Sequence, residues 1–136
     1  MYTKQLSVFL ENRKGRLSEV LTILKDNNIN ISSASMADTN DFGLLRMLVD
    51  DTDKAQKVLK EKGITSKATD VIAIIIPNTV GSFDAVIRKI TEADINIEYM
   101  YGISDSTEGA SIAMKTSDPE KTLKAIEGMD IKFYGK

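Results

Sequence analysis

Neither cysteine nor histidine occurs in the 136 residues. Disulfides, thiolate nucleophiles, imidazole general bases and the usual zinc sites are excluded together. Much of enzyme chemistry goes with them, and no metal or other cofactor is expected. An excess of one charge is also lacking. Lys and Arg number 18 against 20 Asp and Glu, a formal net charge of −2, so no overall basic field draws a phosphate backbone. Nucleic acid is not an expected partner. No stretch approaches the roughly 18 uninterrupted apolar residues that would cross a bilayer. The N-terminal Met1-Tyr2-Thr3-Lys4-Gln5 lacks the apolar core of a secretion signal. A cytoplasmic location without membrane attachment is the expectation. Two prolines and eight glycines are too few for a disordered or collagen-like chain, and 42% hydrophobic with 28% charged residues is the composition of a folded domain. The length allows one domain or two very small ones.

What is present is an internal repeat. Sliding the sequence by 66 residues lays Leu6 to Leu48 on Ile72 to Met114 without a gap, over 43 positions. Seven pairs are identical: Asn12 with Asn78, Gly15 with Gly81, Val20 with Val86, Ile29 with Ile95, Asn30 with Asn96, Ile31 with Ile97 and Gly43 with Gly109. They gather at a turn and at a helix-to-strand junction. One inserted residue after about position 117 then brings Ala55, Val58 and Leu59 against Thr122, Ala125 and Ile126. Two domains are expected, residues 1–69 and 70–136.

Each half reads the same way. Leu6, Val8 and Leu10 alternate with Gln5, Ser7 and Phe9, the period of a strand over residues 5–11. Leu17, Val20, Leu21 and Leu24 form an apolar helical stripe that begins just after Gly15, repeated by Phe83, Val86, Ile87 and Ile90. Asn27-Asn28 and Ala93-Asp94 close these helices, and the β-branched Ile29-Asn30-Ile31 and Ile95-Asn96-Ile97 open second strands. The turn-rich clusters at 38–41 and 104–107 lead into third strands as hairpins. A second helix, residues 53–62 or 118–127, precedes a terminal strand near 64–69 or 130–134. Asp118-Pro119 is a helix start, with a carboxylate N-cap and proline at the first helical position. The order strand, helix, strand, strand, helix, strand, twice over, is the split βαβ or ferredoxin-like topology. The fold class is α+β, with antiparallel sheets and helices on one face. Val71, Ala73 and Ile75 make a second apolar face on the strand that opens the second half, which needs cover from the first unit or from another chain.

The segments Leu10-Glu11-Asn12-Arg13-Lys14-Gly15-Arg16-Leu17, a helix, and Asn28-Ile29-Asn30-Ile31 resemble the signature of the ACT domain, the amino-acid-sensing module of many biosynthetic enzymes. Ile76-Pro77-Asn78-Thr79-Val80-Gly81-Ser82-Phe83, a helix, and Asp94-Ile95-Asn96-Ile97 match it again, so the resemblance covers nearly the whole chain. It implies that amino acids bind where such loops meet a neighbouring domain. The candidate ligand-binding residues are then Asn12, Gly15, Arg16, Leu17 and Asn30 in the first copy. In the second they are Asn78, Gly81, Ser82, Phe83, Asn96 and Tyr99. Family members often carry proline immediately before the loop glycine, whereas Lys14 and Val80 stand there in this chain, which leaves the loops less pre-organised.

The loop chemistry is intelligible by itself. Glycine at a helix entrance lets a ligand approach the backbone, the free amides of the first turn suit a carboxylate, and an asparagine amide both accepts from an ammonium and donates to a carboxylate. The competing reading makes the same residues turn formers and helix terminators. Arg13, Lys14 and Arg16 flank Gly15 where Thr79, Val80 and Ser82 flank Gly81. The first loop either favours an anionic group or carries solvated surface charge. Ser33 and Ser35 align with Tyr99 and Tyr101, so the tyrosines either wall a pocket between paired second strands or pack a domain interface.

Rival functions lose on specific residues. The third strand, Leu44-Leu45-Arg46-Met47-Leu48-Val49, has no aromatic platform for RNA bases, no Cys-x-x-Cys loop is present for a metal chaperone, and no glycine-rich phosphate loop occurs. The expectation is a small stand-alone tandem ACT-domain regulatory protein, not an enzyme. It binds a free amino acid at the domain interface, passes that state to a partner enzyme or regulator, and forms a homodimer. The alternative is a ferredoxin-like protein-interaction module that regulates a partner without a small ligand.

Overall fold

A computed structural model describes residues 2–11, 13–38, 42–104 and 109–135. The chain forms two compact units, one from Lys4 to Thr69 and the other from Asp70 onward together with Tyr2 and Thr3. The elements are β1 (Thr3–Glu11), α1 (Arg16–Asp26), β2 (Ile31–Asp38), β3 (Phe42–Val49), α2 (Thr52–Glu61), β4 (Ser66–Ile76), α3 (Ser82–Glu92), β5 (Ile97–Ile103), β6 (Ala110–Thr116), α4 (Pro119–Ala125) and β7 (Lys132–Phe133). The sequence reading divides β4 into two strands. With no glycine or proline between Ser66 and Ile76, nothing interrupts its extended backbone, and one 11-residue strand serves both units.

In the first unit the strand order is β2-β3-β1-β4, with β3 antiparallel to both of its neighbours. In the second it is β4-β6-β5, with β7 against β4 on the other side. Period-two alternation sends Leu6, Val8 and Leu10 to a core shared with Val20 and Leu24 of α1 and Ala55 and Leu59 of α2. Ile72, Ile74 and Ile76 meet Val86 and Ile90 of α3 and Ile126 in the same arrangement. Each fully buried aliphatic side chain contributes about 1.5–3 kcal/mol, an upper estimate because the unfolded chain is itself partly collapsed. The turns at residues 39–41 and 105–107, expected from the sequence, lie outside the described residues. Of the apolar face expected from Val71, Ala73 and Ile75, the first two are each 1% exposed and Ile75 is partly exposed.

Helix ends explain the repeated dipeptides. Asn28 and Asp94 adopt left-handed backbone, at φ 58° and 60°. After α1 the Ile29 amide donates to the Leu24 carbonyl and the Asn28 amide to Lys25. After α3, Ile95 donates to Ile90 and Asp94 to Thr91. This is the Schellman pattern, completed by a buried isoleucine just beyond it. Asp51 and Asp118 cap α2 and α4, each carboxylate accepting from the amide three residues on at 3.1 Å.

The repeat itself needs one correction. Leu10 faces Gly43 in the first unit, but Ile76 faces Ala110 in the second; Leu6 faces Met47, and Ile72 faces Met114. From the third strand onward the offset is therefore 67 residues, and the extra residue falls between β5 and β6 rather than after 117. A one-residue slip would exchange the two faces of β6, and burial of Met47 and Met114 in equivalent core positions fixes the register. The sequence identity of Gly43 with Gly109 is not a structural equivalence.

Candidate functional site

Both β-to-α loops close in the same way. Gly15 and Gly81 are the N-caps of α1 and α3 at φ 87° and 86°, and neither cap residue has a side chain to bond the first-turn amides. The Arg16 amide donates to the Arg13 carbonyl and the Ser82 amide to Thr79, while Glu19 and Ala85 donate back to Gly15 and Gly81 at 3.0 Å. A Cβ at either glycine would meet nothing within 4 Å. The glycines are required by backbone conformation, and the space above them is open. Leu17 and Phe83 follow on the helices, 38% and 45% exposed. Asn78 is exposed beside Gly81. Asn12 lies outside the described residues.

The remaining candidates sit elsewhere. The loops are at one end of α1 and α3, whereas Asn30 and Asn96 are at the other, and an 11-residue helix is about 16 Å long. Asn30 exchanges backbone hydrogen bonds with Asp50, its amide donating to the carboxylate and its carbonyl accepting from the Asp50 amide. The Asn96 amide donates to the Ser117 hydroxyl oxygen, and its carbonyl accepts from the Ser117 amide. Helix termination belongs to Asn28 and Asp94, two residues earlier, so the competing reading of Asn30 and Asn96 as helix terminators does not hold. Tyr99, on β5, pairs with Lys115 of β6, close to Asn96 and on the face opposite Met100, which packs against the core. Within one unit, Asn78, Gly81, Ser82 and Phe83 are together, and Asn96 and Tyr99 are not with them.

The two loops carry different side chains at equivalent positions. In the first, four ion pairs join Glu11, Arg13, Arg16 and Glu19: Arg13 with Glu11 at 3.2 Å and with Glu19 at 3.6 Å, Arg16 with Glu19 at 2.7 Å and with Glu11 at 3.9 Å. The hydrogen bond from Arg16, supported by the charge of Arg13, holds the Glu19 carboxyl below its ordinary value of 4.5. The Arg16 side chain is 14% exposed, and its Nε has no hydrogen-bond partner among the described residues. In the second unit the equivalent residues are Pro77, Thr79, Ser82 and Ala85, and a hydroxyl–hydroxyl hydrogen bond joins Thr79 to Ser82. These four residues, with Val86, Met129, Asp130 and Ile131, line a cavity of about 350 Å³. On the same flank of the first unit there is a broader hollow of about 570 Å³, whose lining includes Arg16, Glu19, Asp26 and Lys62.

Sequence reasoning did not find Glu11 and Glu19, although the three-residue spacing of Arg16 and Glu19 on a helix is a signal for a pair. Nor did it find Met129, Asp130 and Ile131, which reach α3 only through the tertiary fold. Among the described residues no group of three or more acidic side chains is placed to hold a metal ion. No helix among them is long and apolar enough to cross a membrane.

Two βαββαβ units with antiparallel sheets define a tandem ferredoxin-like protein, and solved structures share that fold. A protein from Bacteroides thetaiotaomicron is 37% identical, over 98% of this chain and 92% of its own, with a TM-score of 0.90. The regulatory subunits of aspartate kinase from Thermus thermophilus, in ligand-free form, and Thermus flavus are each 15% identical. Each match covers 90% of this chain and 89% of theirs, with TM-scores of 0.60 and 0.62. At that identity the likeness is one of fold alone. No curated protein matches the chain. The family profile described as an ACT domain pair matches residues 1–135, and the chain belongs to that family. It is a tandem ACT-domain protein.

Proposed function

We propose that this protein is a metabolic sensor that binds a free amino acid through its β-to-α loops and passes the bound state to a partner enzyme or regulator. The observation that carries the reading is the duplicated loop: two left-handed glycine caps, each with open space above it and no side chain of its own to bond the first-turn amides. First-turn amides suit the carboxylate of a zwitterion. Asn30, Asn96 and Tyr99 lie far from the loop of their own unit, so they join such a site only from a neighbouring domain. The mechanism is linkage: the ligand favours the arrangement that it binds better, by no more than the difference in affinity. Catalysis has no place in this reading, and the cytoplasm is its setting.

The homodimer belongs to the same proposal and rests on Leu17, Leu21 and Met36, which are 38%, 39% and 48% exposed, rather than on Val71 and Ala73. Sedimentation of the full chain as a monomer at all concentrations would remove it. The sensor reading is tested by thermal unfolding against each proteinogenic amino acid at millimolar concentration. A ligand at about 100 times its dissociation constant adds roughly 2.7 kcal/mol and raises the midpoint. A shift with one amino acid, reduced by Asn12→Ala or Asn78→Ala, supports the sensor. No shift with any of them favours the interaction module that works without a small ligand.

A further inference from the structure

The two units present opposite chemistry at the same four positions. Glu11, Arg13, Arg16 and Glu19 form ion pairs, and Arg16 and Glu19 line a hollow of about 570 Å³, whereas Pro77, Thr79, Ser82 and Ala85, none of them charged, line a cavity of about 350 Å³. The volume of this cavity falls inside the roughly 300–1,000 Å³ of small-molecule sites. Ala85, Val86, Met129 and Ile131 give it apolar walls, with the Thr79 and Ser82 hydroxyls at one side and the Asp130 carboxylate on the connection between α4 and β7. Hydroxyls donate to a carboxylate, a carboxylate accepts from an ammonium, and the apolar wall takes a side chain without charge. In the first unit the equivalent place is bordered by Glu11, Arg13 and Glu19, whose side chains are 70%, 50% and 46% exposed, so an apolar ligand side chain seated there would strip water from charged groups. The hollow that remains there includes Arg16, Glu19, Asp26 and Lys62 in its lining.

We infer that the second unit alone takes the ligand, one per chain, on the flank of α3 that faces the connection between α4 and β7, and that the ligand is an amino acid with an uncharged, apolar side chain. This rests on the amino-acid reading above and adds to it the unit, the stoichiometry and the side-chain class.

The test is isothermal titration of the full chain with L-leucine, L-valine and L-methionine, and separately with L-aspartate and L-lysine. One of the apolar three is expected to bind at one per chain, and the two charged amino acids to bind at least tenfold more weakly. Ala85→Glu, which places a carboxylate where the first unit has Glu19, is expected to weaken binding tenfold or more without changing the unfolding midpoint of the unliganded protein. Asp130→Asn, at an exposed position, is expected to weaken it similarly should Ala85→Glu disturb folding. Glu19→Ala, which opens the charged ring, leaves affinity and stoichiometry unchanged. Two ligands per chain, preference for a charged amino acid, or undiminished binding by both second-unit variants overturns this inference while the sensor reading stands. Absence of binding by every proteinogenic amino acid overturns both.

Discussion

Gly15 and Gly81 show what a single residue has to supply in this fold. Both have room for a methyl group, so steric crowding is not what selects glycine; left-handed backbone is. Gly15→Ala and Gly81→Ala are each expected to destabilise the protein by about 1 kcal/mol, and equally, since their φ angles differ by one degree. Urea unfolding of the two variants checks this, and a loss at one position without the other would mean that the loops are unlike in backbone as well as in side chains. Glu19 gives a pH signature. Its carboxyl is held below the ordinary value of 4.5 in the folded chain, so it favours folding above that pH, and the contribution is lost as pH falls through the lowered value. The stability difference between wild type and Glu19→Gln is accordingly expected to be full near neutrality and to shrink below 4.5. Urea midpoints of both proteins along that range measure it.

At the level of elements, α4 is the weak member. It has seven residues against ten in α2 and 11 in α1 and α3, and its start depends on Asp118. Asp118→Ala is expected to cost about 1 kcal/mol and to speed amide exchange throughout α4, whereas Asp51→Ala should leave more of α2 protected. The Asp118-Pro119 start was legible in the sequence because a cap and its proline are local. The end was not: α4 stops at Ala125, two residues short of expectation, where turn hydrogen bonds from Glu127 and Met129 and the left-handed Gly128 take over. Strand periodicity and helical stripes made the element order readable, and the repeated Asn and Gly marked both loops. The location of the extra residue between β5 and β6 was hidden, since a chance Gly43–Gly109 identity pointed to the wrong register and only strand pairing resolves it. The cavity wall at Met129 to Ile131 was hidden for the same reason, being made by residues about 45 positions away from the helix that they face.

For the molecule as a whole, the division between units does not follow the order of the chain. Tyr2 packs against the core of the second unit although β1, which begins beside it, runs on into the first. Tyr2→Ala is expected to remove about 1 kcal/mol, less than full burial of an aromatic would give because Tyr2 is only partly buried. The loss should fall on the second unit. Amide exchange at Ile72 and Ile74 should rise more than at Leu6 and Val8, and equal acceleration of both sets would contradict the assignment. The shared strand β4 has a related consequence for inheritance. A gene division between Thr69 and Asp70 would cut through one unbroken run of extended backbone, and the downstream product would also lack the aromatic side chain that arrives from the opposite terminus. The two copies can diverge in side chains, as their loops have done, yet neither can be passed on complete without the other.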